Sequence, residues 1–170
     1  KPYAEVITPK AKTQQGFFKV HKVEDKYFFE IADSLLGRDI LVVNRIGKAA
    51  AENRVFTQGY AGDQIGENVV RFEKGPNHKI FLKSISFREM ASDSSENGMY
   101  RRVINSNVQP IVASFDIKAN GKDSLSGSRS TVIDVTDFVN GDNDILFFES
   151  NYKKSFSLGQ QISVRSYIDR

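Results

Sequence analysis

Residues 58–78, QGYAGDQIGENVVRFEKGPNH, combine glycines and carboxylates at a spacing that could bind a phosphate or a metal ion. The candidate residues of this loop are Gly59, Tyr60, Gly62, Asp63, Gly66 and Glu67. A phosphate loop needs GxxxxGK[ST], or GxGxxG between a strand and a helix, and neither spacing is present. The two carboxylates would also repel a phosphate. The pattern therefore disfavours phosphate binding.

Asp63 and Glu67 carry hard oxygen ligands that would suit calcium, but the spacing of an EF-hand is absent. The stretch GDND at 141–144 has the same ambiguity. Gly, Asp and Asn are also the residues that turns select. The sequence therefore predicts a shaped connector, with a positive φ at one or more of its glycines. We expect it to be an interaction loop without a bound ion.

Zinc catalysis requires several ligands, commonly His, and a general base. The chain has no Cys, no HExxH motif and only two histidines, His21 and His78, which we predict to be isolated surface residues. The GxSxG motif of many serine hydrolases is also absent. We therefore expect no catalytic residue, metal or cofactor in this chain. A hydrolase with a dispersed site stays open, because triads are defined by geometry.

Lys and Arg number 24 and Asp and Glu number 21, and the two signs alternate along most of the chain. This balance disfavours a nucleic-acid partner, which would favour a basic patch or tail. No apolar run approaches the roughly 20 residues that span a bilayer. The chain opens on Lys1 without a leader, which suggests a fragment or a processed protein.

Short apolar runs separated by turn residues predict strands. Predicted strands lie within 17–31 (a hairpin), 40–43, 69–73, 79–87, 111–118, 131–135 and 159–168, and an Ile-Leu strand follows GDND. In the hairpin, Phe28 and Glu30 are assigned to a wet face. A connector with a helical turn at 49–51 is predicted for 47–68, and a helix for 93–107.

The polar segment 119–130, ANGKDSLSGSRS, is predicted to be a mobile loop that is dispensable for folding. The length of 170 residues suggests one domain, 1–170. The fold class predicted is mainly β, with antiparallel sheets in a sandwich or barrel-like form and one or two short helices. An α+β fold is the alternative.

Four stretches resemble a known bacterial family of unknown function. They are GFFKVHKVEDKYFFEIADSLLGRDILVVNRI, GYAGDQIGENVVRFEKGPNHKIFL, NSNVQPIVASFDIKA and VIDVTDFVNGDNDILFF. The family that they resemble lies N-terminal to the catalytic domain of large exported zinc-dependent metalloproteases. The resemblance covers most of the chain.

This resemblance implies a non-catalytic accessory domain, part of a longer chain, with zinc held only by the downstream catalytic domain. The implied partners are that protease domain and possible peptide substrates, and the implied location is periplasmic, cell-surface or extracellular. A stand-alone glycan- or peptide-binding β module is the alternative. An accessory domain should expose an apolar patch or an unpaired sheet edge, a binding module a groove with exposed Tyr or Phe, and a hydrolase a pocket of clustered His, Asp and Ser.

Overall fold

The computed structural model describes residues 1–49, 60–87, 102–103, 106–122, 127–146 and 162–169, the last range as backbone only. Within these residues nine strands form one antiparallel sheet in the order β1-β2-β3-β8-β7-β6-β5-β4-β9. The strands are β1 (Lys12–Gln14), β2 (Lys19–Val23), β3 (Lys26–Ala32), β4 (Asp39–Ala49), β5 (Gln64–Gly75), β6 (Lys79–Ser84), β7 (Ile111–Lys122), β8 (Arg129–Asp134) and β9 (Ile162–Asp169). Two short helices, α1 (Tyr3–Val6) and α2 (Thr136–Asn140), and a 3₁₀ turn at Asp33–Leu35 accompany the sheet. The predicted mainly β, antiparallel fold is confirmed.

The sheet curls so that one face encloses the main core. The ring of Phe18 lies 4.8 Å from that of Phe29 on β3 and 6.1 Å from that of Phe72 on β5, measured between centroids. Three strands separate β3 from β5 in the sheet. At about 4.8 Å per strand, a flat sheet would hold these two strands roughly 19 Å apart. One ring can bridge them only because the sheet bends into a half-barrel.

The bend is centred on β7, which changes partner along its length. Ile111–Asp116 pair with β6, whereas Ile117–Lys122 pair with β8. Register shifts interrupt both ladders, between Leu82 and Lys83 on β6 and between Ile117 and Ala119 on β7. Such irregularities increase the local twist of a strand and let it pass between two sheets. Each half of β7 therefore serves a different half of the fold.

A second, smaller cluster lies on the outer face of the sheet. Phe28, Ala119 and Val132 are buried there under side chains of the N-terminal segment, including Tyr3. The predicted wet face of the first hairpin is therefore wrong, since Phe28 is 5% and Glu30 3% exposed. The alternating pattern was correct, but α1 covers the face that it assigned to solvent.

Several predicted boundaries change in the structure. The connector 47–68 is shorter than predicted, because β4 runs to Ala49 and β5 begins at Gln64, which also excludes a helical residue at position 49. The loop 119–130 is wrong at both ends, because β7 continues to Lys122 and β8 begins at Arg129. Cross-strand pairing orders these polar residues where their composition predicted a loop.

The Ile-Leu strand after GDND is not formed at Ile145 and Leu146, which lie in a turn. Most of the predicted helix 93–107 lies outside the described residues. The hairpins β2–β3 and β5–β6 and the strand β9 agree with the prediction. No helix in the described part of the chain has the length and apolar character needed to cross a membrane.

Candidate functional site

The described part of the predicted interaction loop that precedes β5, residues 60–63, forms a turn, which we call the β4–β5 turn. Gly62 has φ +100°, as predicted for one of the loop glycines, and its N–H donates to the Ile46 carbonyl (2.7 Å). The Asp63 carboxylate accepts from the Tyr60 N–H (2.9 Å), and the Asp63 carbonyl accepts from the Ile46 N–H (2.9 Å). The Arg45 guanidinium donates to the Gly62 carbonyl (2.9 Å). These bonds hold the turn against Arg45 and Ile46 of β4.

Two further predicted loop residues, Gly66 and Glu67, lie outside this turn. Gly66 and Glu67 lie within β5, where they pair with Asn44 and Val43 of β4. The Glu67 side chain accepts from the Gln64 amide (2.9 Å) on the exposed surface. Gly59 lies outside the described residues. The carboxylates of this stretch are therefore engaged in local hydrogen bonds, and Tyr60 presents a large apolar side chain that is 42% exposed.

A buried polar network lies on the outer face of the sheet and is centred on Glu30. Its carboxylate accepts hydrogen bonds from Ser130 Oγ (2.7 Å), Tyr3 Oη (2.8 Å) and His21 Nε2 (3.0 Å). Lys19 Nζ lies 3.4 Å from the same carboxylate. Glu30, His21 and Ser130 are each at most 3% exposed. The network joins α1, β2, β3 and β8.

These contacts set the direction of two pKa shifts. Burial alone would raise the pKa of Glu30, but the hydrogen bonds from Ser130, Tyr3 and His21 and the charge of Lys19 together lower it. Burial, and then the hydrogen bond to Glu30, raise the pKa of the Tyr3 hydroxyl. The Glu30 carboxylate accepts a hydrogen bond from each of these donors, and the Tyr3 hydroxyl keeps its proton. The polar groups of this buried cluster are therefore hydrogen-bonded to one another.

The network differs from a hydrolytic site in its access to solvent. His21 Nδ1 lies 2.8 Å from Thr13 Oγ1, so hydroxyl, imidazole and carboxylate do form a chain. Ser130, however, donates to the carboxylate of Glu30 and not to an imidazole. The His21 ring, which lies between Thr13 and Glu30, is buried and therefore has no access to a substrate in solvent. The prediction that His21 is a surface residue is wrong. Glu30 within the apolar run YFFEIA was the available signal, because a carboxylate flanked by core residues needs a buried partner.

An opening in the described part of the fold lies where β7 leaves β8. The segment Ile111–Asp116 pairs with β6 on one side, and no other described strand pairs with its second side. Ile117 N–H donates to the His78 carbonyl (3.0 Å), on the side of β6. Because backbone groups alternate along a strand, the N–H and C=O groups of Ser114 and the N–H of Asp116 face the unpaired side, next to the last residue pair of β7 with β8. We call this side the free edge of β7.

The start of α2 explains why this edge is unpaired. Thr136 Oγ1 donates to Asp134 (2.6 Å) and accepts from the Tyr27 N–H (3.0 Å), and Val135 N–H donates to the Tyr27 carbonyl (2.9 Å). These bonds turn the chain toward β3 immediately after β8 ends. At the other end of α2, a Cβ on Gly141 would lie 2.7 Å from the Asp137 carbonyl oxygen, so the close turn there requires glycine. α2 is thereby held beside β3, while its Phe138 ring reaches Phe115 of β7.

A groove of about 690 Å³, the β7 groove, opens between the free edge and α2. The rings of Phe115 and Phe138 meet edge to face beneath it, with centroids 5.4 Å apart. Its charged lining consists of Lys26, Asp116, Lys118, Asp134, Asp137 and Asp142. The hydrogen bond and charge of Lys79, 2.7 Å away, lower the pKa of Asp116. The groove is thus acidic, with four Asp and two Lys, in a chain that is weakly basic overall.

Exposed apolar side chains collect at the end of β6 and the start of β7. Ser86 N–H donates to Gln109 Oε1 (2.9 Å), which ties the two chain segments together. Next to this contact stand four large side chains that are 42–87% exposed: Phe87, Val108, Ile111 and Val112. We call them the β7 apolar patch. An apolar cluster beside an unpaired edge is typical of an interaction surface.

Sequence reasoning did not locate this site. The sequence gives only a weak signal for it, because Ile111 and Val112 are residue types that are common in any strand. The free edge also depends on where β8 ends, which the sequence near β7 does not indicate. Among the described residues, no group of three or more His, Cys, Asp or Glu is arranged to hold a metal ion.

Two family models match the chain, and both describe domains of unknown function. The model Domain of unknown function (DUF5117) matches residues 62–170, and the model Domain of unknown function (DUF5118) matches residues 1–49. No curated protein and no solved structure matches the chain. The two matched regions share one sheet, since β4 of the region 1–49 lies between β5 and β9 of the region 62–170.

Proposed function

The chain belongs to the family Domain of unknown function (DUF5117), and we propose that it is a non-catalytic accessory domain of an exported zinc-dependent metalloprotease. In this proposal it packs on the protease domain of the same polypeptide and helps to shape it. The resemblance of the four sequence stretches motivates this context. The β7 apolar patch is the observation that supports this proposal most directly. An accessory domain needs an apolar surface that is exposed in the isolated domain and is buried when the partner domain packs on it.

The surface has the composition of an interface. Ile111 is 52% and Val112 42% exposed on successive positions of β7, so apolar surface is present on both sides of the strand. Phe87 and Val108 extend it beyond the ladder. Burying apolar surface stabilises a complex by about 25 cal/mol per Å² before the costs of association. A partner that covers all four side chains would bury more apolar surface here than at the single exposed ring of Tyr60.

In this proposal the chain itself has no peptidase activity and holds no zinc, which belongs to the downstream catalytic domain. The buried network around Glu30 then serves stability, since its groups already satisfy one another. Elemental analysis of the purified chain tests this part. One tightly held zinc ion per chain would contradict it.

Calorimetric titration of this chain with the downstream protease domain tests the interaction. We expect Ile111→Asp to weaken binding at least tenfold, because it places a charge in the apolar patch. Tyr60→Asp is the matched control, since Tyr60 is similarly exposed but lies in the β4–β5 turn. If Tyr60→Asp abolishes binding and Ile111→Asp does not, the interface lies at the turn. If the unmodified domains do not associate, the accessory role is wrong.

The β7 groove favours a second candidate function, a peptide-binding module. The groove is lined by backbone and charged groups, which suit a peptide, whereas the exposed Tyr60 and Phe87 do not line it. A glycan site would be expected to present such rings in the groove. The two functions are compatible, because a substrate peptide and a partner domain could both use this surface.

A further inference from the structure

In the described part of the chain, the free edge of β7 offers backbone hydrogen-bonding groups that no strand pairs with. The segment Ile111–Asp116 has six residues, so it extends over about 20 Å at roughly 3.4 Å per residue. The N–H and C=O groups of Ser114 and the N–H of Asp116 face the groove, beyond the last residue pair of β7 with β8, which is Ile117 with Ile133. Solvent can satisfy these groups in the isolated chain. A partner strand could replace that solvent with a regular ladder.

We infer that the partner domain contributes an extended segment that enters the β7 groove and adds a strand to the free edge of β7. This inference rests on the proposed function and specifies how the partner is recognised. Main-chain hydrogen bonds to Ser114 and Asp116 hold the segment, and pockets for its alternate side chains select it. The β7 groove, above the contact between Phe115 and Phe138, leaves the space for it.

The lining of the groove defines the chemistry of the segment. Toward Ile111 and Val112 the edge is apolar, so β-branched or aromatic side chains fit there. Toward α2 the lining is acidic. Asp137 is exposed and makes no hydrogen bond or ion pair with another residue that the structure describes. The segment is therefore an alternating apolar strand with Lys or Arg at the end that meets α2.

Charge disfavours a second copy of this chain as the occupant. Pairing of two β7 edges across a two-fold axis would bring two acidic grooves together. Like charges placed opposite each other are destabilising. A basic strand from a different domain meets no such repulsion.

Amide hydrogen exchange measured by NMR, on the chain alone and in its complex with the downstream protease domain, tests the inference. In the free chain, the amides of Ser114 and Asp116 should exchange at least tenfold faster than those of Ala113 and Phe115, which face β6. In the complex, the Ser114 and Asp116 amides should slow at least tenfold. If the complex forms without this protection, strand addition is wrong and the accessory function stands. If no complex forms, both the strand addition and the accessory function are wrong.

A charge variant tests the chemistry of the segment. Asp137→Lys should weaken the complex at least threefold at low salt, with a smaller effect at high salt. Glu5→Lys on α1 is the matched control and should have no effect, because Glu5 is an exposed carboxylate outside the groove. Equal effects of both variants would overturn the basic-strand assignment. Self-association of the chain alone that protects the Ser114 amide would overturn the choice of occupant.

Discussion

His21 Nε2 lies 3.0 Å from Glu30 Oε2, and both side chains are at most 3% exposed. This pair joins β2 to β3, and Tyr3 and Ser130 attach α1 and β8 to the same carboxylate. We predict that Glu30→Gln lowers the free energy of unfolding by about 3–5 kcal/mol, because buried donors lose a charged acceptor. Urea unfolding measures this loss.

Glu73→Gln is the control for that experiment. Glu73 is a partly exposed carboxylate that pairs with Lys83 and Arg71 at the surface. Such pairs contribute at most about 1 kcal/mol. Similar losses for Glu30→Gln and Glu73→Gln would show that the buried network is not a principal source of stability.

The lowered pKa of Glu30 predicts acid sensitivity. A carboxyl whose folded-state pKa is depressed contributes stability above its unfolded pKa, about 4.3 for Glu. That contribution is lost as the pH falls below about 4.3 and through the folded-state pKa. The stability difference between the parent chain and Glu30→Gln should therefore be largest near neutral pH and shrink in acid. Thermal melts from pH 7 to pH 3 measure it, and a difference that stays constant would refute the linkage.

A side chain at position 62 should destabilise the fold, because the backbone of Gly62 in the β4–β5 turn has a positive φ. Its φ of +100° is strained for any side chain, although the space around it is open. Gly62→Val should destabilise the fold by about 1–3 kcal/mol, and Gly62→Asn by less, because Asn tolerates positive φ better. Asp63→Asn should have a small effect, since its amide oxygen can still accept from Tyr60. Melts with calcium and with chelator complete the test: a calcium-dependent rise that Asp63→Asn removes would mean that the turn is a metal site.

The two family-model regions should fold only together. Residues 1–49 supply β1–β4 and residues 62–170 supply β5–β9, yet β3 pairs with β8 and β4 with both β5 and β9. Each fragment alone would expose strand edges and half of the core. We expect neither to show a cooperative thermal transition alone, whereas co-expression restores it. A cooperative transition in the isolated 62–170 fragment would contradict this.

Sequence reasoning predicted the local elements well and their long-range arrangement poorly. The hairpin β2–β3 followed from alternation within one short stretch. The insertion of β8 beside β3, about 100 residues away, has no local signal. The segment Ala119–Lys122 was assigned to a loop because its side chains are mostly polar or small, yet pairing with β8 keeps it in the sheet. Amino-acid composition describes the side chains of a segment. Whether the segment joins a sheet depends on a partner strand elsewhere in the chain, here β8.

The candidate site shows the same limit. Gly62 was identified from its type and has the expected backbone conformation. The prediction that this loop is an interaction surface stays a prediction. The β7 groove was missed because it arises from Thr136 turning the chain away from β7, which no spacing of residues reveals.

Burial of the β7 apolar patch in the parent polypeptide is the central claim. The chain has no Cys, so Val112→Cys and, as a control, Tyr60→Cys each introduce a single thiol into this domain. Alkylation followed by mass spectrometry of the labelled peptide measures the accessibility of each position. We predict that the thiol at 112 reacts at least tenfold more slowly in the parent polypeptide than in the isolated domain, while the thiol at 60 reacts equally fast in both. Equal reactivity of the thiol at 112 in both proteins would contradict the account.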